Sequence, residues 1–172
     1  MILTTSSGTN SGFSFNKKVI ENRGFKESDN YWTELRLIKN TGLRANNFEW
    51  KVDLKNAAKD GAIVCNDIVA EVLLENSTIK IHFVQPGCTL FSEIILPHKK
   101  LKGNTADLSF LGIDFEDFKK LKIRANNNKI TFWIDDRLIY EDIIQNNTVI
   151  KGFVLKFKGC GAAKNISISS IQ

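Results

Sequence analysis

The sequence has no apolar run approaching the roughly 20 residues that carry a helix across a bilayer, so no segment of it is expected to span a membrane. Helical periodicity is nearly absent, which argues against a helical fold. No recognised nucleic-acid-binding motif is present, and no nucleic-acid partner is expected. Histidine is scarce: only His82 and His98 occur, neither with cysteine or carboxylate at ligand spacing, so neither zinc nor another cofactor is expected. Both histidines read as surface residues. Residues 1–12 lack the basic start and apolar middle of a secretory signal, and 1–15 read as a flexible polar lead-in. Two settings fit such a start: a cytosolic protein, or a piece of a longer exported or anchored one.

What remains is the composition of one ordinary globular domain, taken as 16–172, with no linker or low-complexity block to divide it. The net charge of +5 comes mostly from lysines spread along the chain. Such a distribution serves solubility, or gathers into a basic face if the fold brings the right strands together.

Period-two alternation is the dominant signal, in short segments broken by Gly, Asn and Asp, and it predicts an antiparallel two-sheet sandwich. Phe48, Trp50, Val52 and Leu54 alternate with Glu49, Lys51 and Asp53, which gives one dry and one wet face. The segment around Ile68 to Leu74 is apolar on both sides. Glu75, Asn76 and Ser77 then turn the chain into Ile79, Ile81 and Phe83. Leu90 to Leu96 reads as a further strand closed by Pro97. Leu121, Ile123 and Ala125 oppose Lys120, Lys122 and Arg124. Asn126 to Asn128 make a turn, because asparagine tolerates left-handed backbone angles. Ile130, Phe132 and Ile134 follow, opposed by Thr131 and Trp133. Phe153, Leu155 and Phe157 form the last buried stripe before the turn at Gly159 to Gly161.

Catalytic arrangements are thin. Asp67 and Glu71, four residues apart, share one face of a strand, as paired glycosidase carboxylates do, but Val69 stands where a third acid would be needed. No catalytic residue is therefore assigned. Cys65 precedes one strand of a predicted hairpin and Cys88 follows the other, which puts the pair within disulfide reach. Cys160 is left over. Three reduced thiols remain the alternative.

Trp133 is the most informative aromatic, since alternation places it opposite the Ile130, Phe132 and Ile134 stripe. Lys122 and Arg124 share its face, and Lys156 and Lys158 would join them if the strand at 152–158 is a neighbour. Trp133, Lys122, Arg124 and Lys156 thus form the candidate surface for a sugar ring or an anionic polymer. The competing arrangement lays the N-terminal segment, with Phe13, Phe15, Phe25 and Trp32, over this face.

Three stretches, Asp114 to Ile123, Ile130 to Tyr140 and Gly152 to Gly161, resemble the concanavalin-A-like, laminin-G-like jelly-roll superfamily. Cys65 with Asp67, Pro86-Gly87-Cys88, Asp107 to Ser109 with Gly112, and Phe157 to Gly161 are similar to the extracytoplasmic domain of certain bacterial membrane-anchored proteins. The likeness covers about residues 48–171 and departs at Ala163 to Asn165, where an acidic residue is expected before the final strand. The resemblance implies an all-β jelly roll and an oxidising, extracytoplasmic setting for Cys65 and Cys88. The role expected is non-catalytic ligand binding or sensing within a longer membrane-anchored protein, with carbohydrate, an anionic polymer or a protein as the partner. A structural or protein-interaction domain is the alternative, and a degenerate glycoside hydrolase stands behind both.

Overall fold

A strand whose every second side chain is apolar must bury one face, and two such sheets satisfy each other by packing face to face. The computed structural model describes residues 2–7, 13–16, 19–22, 32–38, 42–57, 65–145 and 147–171. Fourteen strands occur among them: β1 (Ile2–Ser7), β2 (Phe13–Asn16), β3 (Val19–Asn22), β4 (Thr33–Ile38), β5 (Asn47–Ala57), β6 (Asp67–Leu74) and β7 (Thr78–Phe83). They continue with β8 (Glu93–Leu96), β9 (Lys99–Lys102), β10 (Lys119–Asn126), β11 (Lys129–Ile134), β12 (Arg137–Ile143), β13 (Ile150–Lys158) and β14 (Cys160–Ser169). The described residues contain no α-helix, only short 3-10 turns at Thr89–Phe91 and Ser109–Leu111.

The strands form two seven-stranded antiparallel sheets. The first runs β1-β4-β13-β6-β7-β8-β9 and the second β12-β11-β10-β5-β14-β3-β2. Their inner faces meet on an aromatic cluster in which Trp50 and Phe48 from the second sheet pack edge-on against Phe153 of the first, at 5.0 and 6.0 Å between ring centroids. The alternating residues of β5, β10, β11 and β13 that the sequence marks as apolar are all buried.

Two hairpins in the second sheet turn on pairs of polar residues with positive φ: Asn127 and Asn128 (50° and 63°), then Asp135 and Asp136 (48° and 62°). These two-residue loops match the twist of the strands they join, which is why short polar side chains that tolerate this backbone occupy them. Consecutive strands β13 and β14 lie in different sheets, so the chain crosses the sandwich at Gly159, where φ is +135°. A side chain there would also run into Asn56, whose amide donates to the carbonyls of Asp67 and Lys158 at 2.9 and 3.1 Å and so ties the sheets together.

Three expectations change. Residues 2–7 and 13–15, read as part of a flexible lead-in, belong to strands β1 and β2, which pair with β4 and β3. The polar Thr and Ser content that suggests a tail is compatible with edge strands, whose outward positions meet water. The segment Leu90 to Leu96 is not one strand, because a 3-10 turn takes its first residues and β8 begins at Glu93. Finally, β13 is not a neighbour of β10 and β11; it pairs with β4 and β6 in the other sheet.

Candidate functional site

Each sheet has an outward face, and the two differ in chemistry. On the first sheet the register sets Glu34, Lys156, Val69, His82 and Glu93 in one row across β4, β13, β6, β7 and β8. Arg36, Val154, Glu71 and Lys80 form the next row. The charges are largely used against one another. Lys156 reaches Glu71 at 3.1 Å and Glu34 at 3.7 Å, Arg36 binds Glu34, and Glu93 takes Lys80 at 2.7 Å and Lys100 at 2.9 Å. Burial pushes the Glu93 carboxyl up, but hydrogen bonds from Lys80 and Lys100 outweigh it and hold the group below the usual carboxylate range.

At one end of this face His82 lies 3.2 Å from Asp67, with the Trp32 ring edge-on to the imidazole at 5.8 Å between centroids. The His82 side chain retains only 12% of its exposure, so it is not the surface histidine expected; Asp67 and Trp32 enclose it. His98, by contrast, is exposed, 3.8 Å from Asp142. Asp67 and Glu71 do share a face, yet Val69 between them is buried, and each carboxylate already has its own partner in His82 or Lys156.

The outward face of the second sheet carries the candidate site. A bulge in β12 opposite Phe132 and Trp133 sets Leu138 across from Trp133 on one side, while Lys122 of β10 faces Trp133 on the other. A bulge interrupts the ladder locally, bends its strand and so re-aims the side chains beside it. The Lys122 ammonium stands 4.5 Å from the centre of the Trp133 ring and 3.7 Å from Asp136. Trp133 is half-buried, and its Nε1 is buried with no acceptor among the described residues, so the surface that the indole offers outward is carbon.

Around it opens a groove of about 600 Å³, lined by Trp133, Leu138, Thr131, Arg124, Lys129 and Glu141 among others. Lys129 and Glu141 pair at 2.8 Å. Two residues along β10 from Lys122, Arg124 sits opposite Thr131 and Glu49. Glu49 is taken by Lys51, and the Arg124 guanidinium has no carboxylate partner among the described residues. An apolar ring beside amide, hydroxyl and guanidinium groups can stack on a sugar and bond its hydroxyls.

Trp133, Lys122 and Arg124 are thus together. Lys156 is not with them: it belongs to the first sheet, on the opposite side of the sandwich, where it holds Glu71 and Glu34. Lys158 goes with it. Nor do the described N-terminal strands cover Trp133, since β2 and β3 extend the second sheet beyond β14, at the far edge from β11 and β12. Trp32 stands on the first sheet, Phe25 lies outside the described residues, and the side chains of Phe13 and Phe15 are not described. Sequence reading missed Glu141 and Leu138 as groove residues, and read Asn126 and Asn127 only as a turn. Their turn signal was legible; their place in a groove depends on β12 folding back beside them.

Cys65 and Cys88 are joined, with Cα atoms 6.4 Å apart, and Cys160 is free. Among the described residues no group of three His, Cys, Asp or Glu side chains is placed to hold a metal. No described helix is long and apolar enough to cross a membrane.

The architecture is that of a concanavalin-A-like jelly-roll sandwich. The chain is similar to the carbohydrate-binding module CBM66 from Bacillus subtilis, with a TM-score of 0.59 and 14% identity over 98% of this chain and 95% of that one. It is also similar to part of a sialidase (TM-score 0.62, 10% identity, 99% of this chain but 17% of that one). A third likeness is to a Bacillus subtilis protein of unknown function with a galectin-like fold (TM-score 0.57, 7% identity, 99% of this chain and 90% of that one). At such identities these likenesses define the fold alone. No family model and no curated protein matches the chain.

Proposed function

We propose that this domain is a non-catalytic carbohydrate-binding domain working outside the cytoplasm, with its ligand in the groove beside Trp133. The observation that carries the reading is the carbon face of Trp133 opening into a groove with hydrogen-bonding side chains on its walls. Binding modules need a platform and polar contacts but no paired acid and base, and that is the inventory of this face. On the opposite face buried Val69 separates Asp67 from Glu71, and Glu71 is paired with Lys156, which supports the non-catalytic reading. The Cys65–Cys88 pair supports an oxidising compartment, because such bridges persist where glutathione does not reduce them.

A glycan array with the purified domain tests the proposal. Binding to one class of glycan, lost in Trp133→Ala while the fold is kept, is the expected result. A blank array, or binding indifferent to Trp133, overturns it.

A further inference from the structure

The groove beside Trp133 does not end at the β10–β11 hairpin. Asn126 and Asn127 line it and also line a second groove of about 720 Å³, whose walls include Arg44, Asn46, Asn47 and Ser170. From the level of Lys122 and Trp133 to that of Asn126 is four residues of β10, roughly 13 Å at strand spacing, so the continuous path is longer than one sugar ring. Its charge is lopsided. Lys122, Arg124, Lys129 and Arg44 stand along it; Glu141 engages Lys129 and Asp136 lies 3.7 Å from Lys122, which leaves the two guanidiniums as the cations of this path without a carboxylate among the described residues. Arg44 donates to the carbonyl of Asn147 at 2.9 Å and, like Arg124, has no carboxylate partner among the described residues. On the outward face of the first sheet, by contrast, Arg36, Lys80, Lys100 and Lys156 are each paired with a carboxylate.

Two guanidiniums without counter-charge, set along one groove, are suited to anionic groups, since each planar fork can donate two parallel hydrogen bonds to a carboxylate or sulfate. Lys122 adds to this, because an incoming anion can draw its ammonium from the Trp133 ring and clear the stacking surface. From these features we infer that the ligand is a linear acidic glycan, a uronate or sulfated polymer, running from Trp133 past Arg124 to Arg44. This rests on the reading that the Trp133 groove binds carbohydrate, and it adds the ligand's charge and its path.

The test is titration calorimetry of the full chain against two matched pairs: polygalacturonate with its carboxyl-reduced neutral form, and dextran sulfate with dextran. At least one acidic polymer is expected to bind, its neutral partner at least tenfold more weakly, and affinity is expected to fall as salt rises. Arg124→Gln and Arg44→Gln are each expected to weaken acidic binding roughly tenfold with unchanged melting temperature. Arg124→Lys and Arg44→Lys, which keep the charge and lose the fork, serve if either Gln variant folds poorly, and should weaken binding less. Which pair discriminates tells carboxylate from sulfate. Equal affinity for acidic and neutral polymers, or acidic binding untouched by the Arg124 variants, overturns the inference; a loss at Arg124 alone overturns the path to Arg44. In these cases the carbohydrate reading survives if Trp133→Ala still abolishes binding, whereas no binding to any of the four polymers overturns this inference and leaves the carbohydrate reading to the glycan array.

Discussion

Tryptophan occurs in two opposite environments within the second sheet, on β5 and on β11. Trp50 and Trp133 both sit in regular alternation, but Trp50 points to the core, where it is fully buried against Phe153, and Trp133 points outward under Lys122. Truncating them should separate stability from binding. Trp50→Ala leaves a cavity between the sheets and is expected to cost roughly 3 to 5 kcal/mol, readable as a lowered denaturant midpoint. Trp133→Ala removes a half-buried ring and is expected to cost no more than about 1 to 2 kcal/mol of stability, while weakening ligand binding by roughly 1 to 3 kcal/mol. Comparable destabilisation by both variants would mean that Trp133 is core and not platform. The outward direction of Trp133, Lys122 and Arg124 was legible because period two is enforced by the backbone itself. Lys156 obeys the same rule within its own strand, but the rule does not say which sheet that strand joins.

Between elements, the side of the sandwich where β9 and β12 form the sheet edges is closed by Asp142. Its carboxylate accepts from Tyr140 Oη at 2.6 Å, from Lys99 Nζ across the sheets at 2.9 Å, and from the Ile143 amide at 2.8 Å. Burial pushes the carboxyl up, yet these hydrogen bonds prevail and hold it at about 2. A carboxyl whose folded pKa lies below its unfolded value near 3.9 stabilises the fold above about pH 4, and that contribution is lost as pH falls toward 2. Asp142→Asn is therefore expected to cost about 1 kcal/mol at pH 6, a modest figure because Lys99 is solvated, and to cost less than that at pH 2.5. Chemical denaturation of both proteins at the two pH values checks this; an equal difference at both would show that the carboxylate charge is immaterial. None of this contact was visible in the sequence, where His98 read only as a surface residue and neither Lys99 nor Asp142 was singled out.

At the scale of the molecule, the Cys65–Cys88 bridge spans 23 positions and encloses the β6–β7 hairpin. In the entropic model of unfolded-chain restriction a loop of that size contributes about 3 kcal/mol. Unreduced protein should be lighter than the fully reduced chain by two hydrogens and show a single titratable thiol, Cys160, and Cys65→Ser with Cys88→Ser should lower the melting temperature. Three titratable thiols in unfolded, unreduced protein would exclude the bridge and remove the support it lends to an extracytoplasmic setting.

Local order in this protein was largely decided by the sequence. Alternation marked the buried stripes of β5, β10, β11 and β13, and the asparagine and aspartate pairs marked the tight turns, because both depend on backbone geometry within a few residues. Partnership was not decided there. A crossing at Gly159 sends β13 and β14 into different sheets, the Thr- and Ser-rich start of the chain completes both sheets at their edges, and β12 folds back to build a wall for Trp133. Those outcomes follow from long-range packing, in which strands with interchangeable patterns compete for neighbours. Only the tertiary structure settles which charges meet, leaving Lys156 paired on one face and Arg124 without a carboxylate partner among the described residues on the other.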